Sequence, residues 1–239
     1  MKKLVLTIVT IVVCVSCVLA FAACAKDDLK YGKEYVAVNA QSDILTELNS
    51  GTTDIGVMDS VMANYYLNNS SYADSLQLIE DFSFANEYYG IAARKGSGII
   101  NAINQSIVEL KKDGTVETIA TKYGLNDVIA IDSEKTYTVD EENADYKAIK
   151  TAGQVVVGYT LFAPIAYKNN SEELVGFDIE LAKEVFTELG LSVKFQIIDW
   201  ETKEVELNAK SIDVIWNGLT ITDERKEAME ISAPYMENQ

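Results

Sequence analysis

Arg225 is the residue in this 239-residue chain whose type and position ask most directly for a chemical partner. Upstream of it, Ile212, Val214, Ile215 and Trp216 form a short apolar run, opened by Asp213 and closed by Asn217-Gly218. That is the pattern of a buried strand ending in a turn, and Trp216 is expected in the core. Thr222 is then a good N-cap for a helix beginning Asp223-Glu224-Arg225. The two acids suit the positive end of that helix, whereas Arg225 does not. A guanidinium just past the end of a strand, where α/β sheets bind ligands, is predicted to grip a ligand carboxylate. The competing reading makes Arg225 a surface side chain paired with Glu224 or Glu227.

Two helix–turn–strand units of one design are expected to position such a site. Leu48-Asn-Ser-Gly-Thr-Thr-Asp54-Ile-Gly-Val-Met-Asp59 and Leu207-Asn-Ala-Lys-Ser-Ile-Asp213-Val-Ile-Trp-Asn-Gly218 share Leu-Asn, an aspartate five residues after the Asn, and an apolar strand. Helices are predicted before them, over 43–49 and 203–209. Each strand is predicted to end five residues past its aspartate, at Asp59 and at Gly218. Two α/β lobes, each a sheet flanked by helices and facing the other across a cleft, would bring those ends together. Apolar spacing adds helices over 60–67, 99–112 and 115–123, and strands over 154–158 and 193–198.

Composition narrows the function. The chain has no histidine, which removes the commonest metal ligand and general base; no metal, cofactor or catalytic residue is expected. Lysine and arginine total 20 against 37 acids, a net charge of −17, the wrong sign for nucleic acid or anionic lipid. Met1-Lys-Lys3 precedes an apolar run from Leu4 to Ala23, which reads as a signal peptide over residues 1–23. Phe21-Ala-Ala-Cys24 resembles a bacterial lipobox with Cys24 as the lipidation site; an uncleaved membrane anchor is the alternative. Either reading places the remainder outside the cell membrane, tethered to its outer face. All three cysteines (Cys14, Cys17, Cys24) lie in or at the end of this leader, so no disulfide is expected beyond it.

Four motifs follow one another over about 80 residues: Val155-Val-Val-Gly-Tyr-Thr-Leu-Phe-Ala-Pro164, Leu174-Val-Gly-Phe-Asp-Ile-Glu-Leu-Ala-Lys183, Thr220-Ile-Thr-Asp-Glu-Arg225 and Ala233-Pro-Tyr235. Together they resemble the first lobe of the polar amino-acid-binding proteins of ABC importers, family 3 of the type II solute-binding (periplasmic-binding-protein-like) fold. Asn86-Glu-Tyr-Tyr-Gly-Ile-Ala-Ala-Arg-Lys-Gly96 resembles that family's returning hinge strand, and Asp113-Gly-Thr with Ile119-Ala-Thr-Lys-Tyr-Gly124 its C-terminal segment. Tyr35–Val38 matches a further strand of the second lobe. The lobes therefore come in reversed order, as in a circular permutant: a second-lobe segment with hinge return over 24–125, a polar linker over 126–146 and a first-lobe segment over 147–239. Where the family continues past Pro234-Tyr235 into the opening of its second lobe, this sequence stops at Gln239. The expectation is a truncated second lobe and weak binding by this chain alone.

The resemblance implies roles for named residues. Arg225 would pair with a ligand α-carboxylate and Asp59 with its α-ammonium, although Asp59 also reads as the N-cap of the helix that follows it. Phe162 and Trp200 would clamp the ligand side chain, or else pack in the core. Asn217, Gly218 and Thr220, at the predicted strand end, would hold the amino acid through main-chain groups and a hydroxyl. The implied partners are a free amino acid and the membrane subunits of an ABC permease. An enzyme on the same fold, similar to cyclohexadienyl or arogenate dehydratases, is the second reading, and a ligand-sensing domain the third.

Overall fold

The computed structural model describes residues 34–38, 40–79 and 85–239. The expected signal peptide over 1–23 and the expected lipidation site at Cys24 lie outside the described residues. The chain divides into two units, residues 1–39 and 40–239. In the first, residues 34–38 form no strand. The strand matched at Tyr35–Val38 has no pairing partner among the described residues, and unpaired backbone groups do not make a sheet.

The second unit begins with helices α1 (Gln41–Ser50) and α2 (Ser60–Asn69). Strand β1 (Glu87–Arg94) follows, then α3 (Ile99–Lys112), α4 (Thr115–Tyr123) and α5 (Ala144–Ala152). Next come β2 (Gln154–Tyr159), the short pair β3 (Tyr167–Lys168) and β4 (Leu174–Val175), α6 (Phe177–Glu188) and β5 (Ser192–Ile197). The chain closes with α7 (Lys203–Asn208), β6 (Val214–Thr220), α8 (Asp223–Ala228), β7 (Met229–Ile231) and β8 (Met236–Asn238).

A six-stranded sheet runs in the order β5-β2-β6-β1-β7, with β8 also paired to β1. β5, β2 and β6 are parallel, whereas β1 runs antiparallel to β6, β7 and β8. Alternation along each strand supplies both faces. Ile91 and Ala93 of β1, Val155 and Val157 of β2, and Val214 and Trp216 of β6 join a core shared with α2 to α6. Ala92 and Ile215 join a smaller cluster with Ile198, Leu207, Leu219 and Met229 on the other face. Trp216 is fully buried. The molecule is thus a mixed α/β structure with helices on both faces of its sheet.

Three expectations change. The Asn217-Gly218 pair does not end β6; it lies inside the strand. Gly90 pairs with Leu219 but Ala92 with Ile215, so three residues of β6, 216–218, oppose Ile91 alone. That is a bulge, and Gly218 takes the positive φ of 62° that it requires. The earlier echo, at Ile55–Met58, forms no strand, and Ile55 and Val57 are 58% exposed. Its helix and turn form as expected, but no strand among the described residues takes its hydrogen bonds. Finally, residues 87–125, grouped above with the second lobe, pack on the same sheet as 154–231, because β1 inserts between β6 and β7. The polar linker is docked too. Ala130 N–H donates to the Tyr235 carbonyl (3.0 Å), and Tyr137 N–H to Gln105 Oε1 (2.8 Å).

Candidate functional site

Arg225 sits beyond the C-terminal end of β6 on α8, whose N-cap Thr222 accepts the Arg225 amide at 3.2 Å. The cap is as the sequence predicts. The helix is only six residues long, however, so Arg225 falls in its last turn and the dipole argument lapses. The guanidinium Nη1 donates to the Thr220 carbonyl at 2.7 Å. Among the described residues it makes no ion pair; Glu224 and Glu227 stay exposed and unpaired with it.

Asp59 stands at the N-cap position of α2 but does not cap it. Its carboxylate turns away instead. Oδ2 accepts from Gln41 Nε2 (2.8 Å) and Oδ1 from Asn238 Nδ2 (2.7 Å), both neutral donors. Asn238 Nδ2 also lies 3.5 Å from Glu87 Oε2, which accepts the Thr220 hydroxyl at 3.2 Å. Asp59 and Arg225 are therefore the ends of one chain of polar contacts through Asn238, Glu87 and Thr220. The register that builds it pairs Glu87 with Asn238 and Tyr89 with Thr220.

The other predicted residues are distributed unevenly. Phe162 lines a cleft of about 520 Å³ together with Met62, Tyr65, Tyr66 and Tyr167; its own ring is mostly buried, edge-on to Tyr89 at 6.4 Å. Trp200 is not brought to it: Trp200 packs on the other face's cluster, with Lys203 Nζ 4.9 Å from its ring centre. Asn217 is buried, and its Nδ2 donates to Thr160 Oγ1 at 2.7 Å. The Gly218 amide is also engaged, by Asp178 Oδ2 at 3.1 Å and Tyr235 Oη at 3.3 Å.

The model of the bacterial extracellular solute-binding proteins, family 3, matches residues 155–239. The match covers the last 85 of the 239 residues. That segment carries Phe162, Trp200, Asn217, Gly218, Thr220 and Arg225, but not Asp59. The chain is 32% identical over 88 residues to the L-cystine-binding protein TcyJ of Escherichia coli, covering 36% of this chain and 33% of that one. It is 34% identical over 74 residues to the arginine-binding extracellular protein ArtP of Bacillus subtilis, covering 31% and 29%. A solved ABC uptake transporter substrate binding protein from Streptococcus pneumoniae with bound histidine is 38% identical over 35% of each chain, with a TM-score of 0.34. This chain spans about a third of the length of the curated relatives it matches.

Within the matched segment, two residues that sequence reasoning passed over hold the β6 bulge. Asp178, in the first turn of α6, is 1% exposed, and its Oδ2 accepts the Tyr235 hydroxyl at 2.8 Å as well as the Gly218 amide. Burial pushes its pKa up to about 7, against the pull of the Tyr235 hydroxyl, the Gly218 amide and the nearby Trp216 indole. Burial, and then the Asp178 charge, push Tyr235 well above its ordinary value. Both residues lie in quoted motifs, Gly-Phe-Asp178 and Ala-Pro-Tyr235, but only tertiary structure shows that they meet. Gly218 itself has no room for a side chain: a Cβ there would lie 2.8 Å from Phe162 Cε1.

Proposed function

We propose that this chain is the amino-acid-binding component of an ABC importer and holds a zwitterionic amino acid at the C-terminal end of β6. Arg225 takes the α-carboxylate as a bidentate pair, and Asp59 takes the α-ammonium. One observation carries the reading: a guanidinium and a carboxylate at the two ends of one polar chain each lack an ion-pair partner among the described residues. A zwitterion supplies both missing charges. Phe162 and the tyrosines of the neighbouring cleft receive the side chain, and Asn217, Gly218 and Thr220 fix the strand end beneath the ligand. Trp200, packed elsewhere, is assigned a supporting role only. In this reading the protein is a lipoprotein anchored through Cys24 on the outer face of the membrane, its lobe order is permuted, and it delivers the amino acid to permease subunits without chemical change.

Calorimetric titration of this chain with L-cystine and L-arginine, up to millimolar concentrations, tests the proposal. Arg225→Ala is expected to weaken binding roughly 30-fold or more, the equivalent of about 2 kcal/mol for a lost charge-assisted pair. Asp59→Asn is expected to act in the same direction. Binding that Arg225→Ala leaves intact sinks the assignment. Turnover of arogenate by the wild-type chain favours the dehydratase reading instead.

A further inference from the structure

We infer that Asp178 is a positioning residue of the site: by holding the Gly218 amide and the Tyr235 hydroxyl on one carboxylate oxygen, it sets the bulge that shapes the end of β6. In its consequences for ligand binding this rests on the reading above; in its consequences for the bulge it does not.

A bulge leaves backbone groups without ladder partners, and Asp178 supplies an acceptor for the Gly218 amide where β1 offers none. Tyr235 is fixed for its share. It stacks on Phe177 at 6.4 Å and 10° and meets Trp216 edge-on at 6.4 Å. Beyond the bulge, β6 carries Thr220, whose hydroxyl meets Glu87 and whose carbonyl holds Arg225. The bulge geometry therefore reaches the proposed carboxylate grip within a few residues.

The same place collects the buried side-chain polar atoms that have no hydrogen-bond partner among the described residues: Tyr89 Oη, Asp178 Oδ1, Trp216 Nε1 and Asn217 Oδ1. Trp216 and Asn217 are in the bulge, Asp178 binds it, and Tyr89 packs against Gly218. Such atoms are costly in a core. Their concentration at one distortion marks a geometry that packing alone does not choose.

The titratable groups facing Asp178 are Tyr235, from the segment after β7, and Tyr89, from β1. Tyr89 in turn is acted on by Asp59 and Glu87. Among the described residues no cation is paired with Asp178, so its charge rests on the Tyr235 hydroxyl, the Gly218 amide and the nearby Trp216 indole. Ionised, the carboxylate accepts both bonds firmly; protonated, it accepts them weakly and the bulge loosens. Two opposite trends follow. Because burial raises the folded-state pKa above the unfolded value, the stability contributed by Asp178 is present at low pH and lost as pH rises through about 7. Ligand affinity, which needs the set bulge, rises over the same interval.

The test is a pH titration by NMR, in a Trp200→Phe background that leaves Trp216 as the single indole, following the Trp216 indole and Gly218 amide signals between about pH 5 and 9. The two signals are expected to move together with one midpoint near neutrality. Asp178→Asn is expected to abolish that movement. Should Asp178→Asn not fold, Tyr235→Phe serves, and it is expected to raise the midpoint because the carboxylate loses a donor. Signals that do not move, that still titrate in Asp178→Asn, or that keep their midpoint in Tyr235→Phe overturn the proposal.

L-arginine binding is measured alongside and is expected to be several-fold tighter at the alkaline end. Affinity indifferent to pH while the signals titrate overturns the link from bulge to site. Titrating signals with no amino-acid binding at any pH support the positioning of the bulge and count against the amino-acid reading alone.

Discussion

The two arginines of this chain lie beyond opposite ends of β6 and are treated in opposite ways. At the N-terminal end, Arg94 is partnered at every guanidinium nitrogen. Its Nε pairs with Asp145 (2.8 Å), its Nη2 with Asp213 (2.9 Å), and its Nη1 donates to the carbonyls of Ile212 (2.8 Å) and Leu207 (3.3 Å). The acids are engaged in turn. Asp145 accepts the Ser97 hydroxyl and Asp213 the Val156 amide, so the cluster ties α5, β1, β2 and the entry to β6 together. At the C-terminal end, the Arg225 guanidinium has one hydrogen-bond partner among the described residues, the Thr220 carbonyl. A guanidinium carries five donors; Arg94 engages four of them and staples the fold, and where the anions are missing the group is free for a ligand. Residue type and burial do not separate the two cases. Partner count does.

Arg94→Met is the strongest way to break this comparison. It leaves Asp145 and Asp213, each under 20% exposed, without their guanidinium partner. The expected loss is about 3 kcal/mol or more, read as a lowered urea midpoint at unchanged m. The cluster also has a pH signature. Burial favours the neutral form of Asp145, but Arg94 and Ser97 override it and hold its pKa below the ordinary carboxylate range. A depressed folded-state value contributes stability that is present near neutrality and lost as pH falls through it. Acid should therefore weaken the Arg94 end while it relieves Asp178, and Arg94→Met should flatten the acid limb.

Gly218→Ala strikes the other end. The φ of 62° and a Cβ 2.8 Å from the Phe162 ring combine backbone strain with a clash, and the expected cost is about 2 kcal/mol together with loss of ligand binding. A variant as stable as the wild type by chemical denaturation shows that the bulge is not held as described. Thr222→Ala is milder. It removes the acceptor of the Arg225 amide and is expected to cost about 1 kcal/mol, with affinity falling more than stability because α8 presents Arg225.

Local signals were legible and distant ones were not. Helices over 99–112 and 115–123 appear at those bounds because their apolar spacing is unbroken and glycines with positive φ, Gly114 and Gly124, bound the second. The strand read at Ile55–Met58 has the same local credentials as β6 yet pairs with no strand among the described residues, because pairing depends on neighbours that no window of sequence contains. The bulge was hidden for the same reason. Asn-Gly inside an apolar run reads as a turn, and only the register against β1 reveals three residues facing one. Arg225 could be singled out from its local setting past a strand end, and Asp59 from the family resemblance. That neither makes the bland contact open to it, the N-cap or the glutamate pair, is a tertiary fact. Phe162 and Trp200 looked alike as aromatic residues after strands, and the two faces of the sheet separate them.

The smallest expected effect is the most discriminating. Arg225→Met keeps the aliphatic bulk and removes the charge, so the folded protein loses one hydrogen bond to a partly exposed carbonyl and no ion pair. That loss is offset in part by the rotamer entropy regained when a long side chain is no longer held to one acceptor. Stability should shift by about 0.5 kcal/mol or less in either direction, well below the effect of Arg94→Met measured in the same buffer. If instead the two substitutions destabilise equally, Arg225 is a second staple with partners that form in solution, and the inference from an unpaired guanidinium to a ligand carboxylate fails. If Arg225→Met is neutral to folding and L-arginine or L-cystine binding disappears with it, the two ends of β6 divide the work as proposed: one arginine holds the sheet, and the other is held in reserve for an anion the fold does not supply.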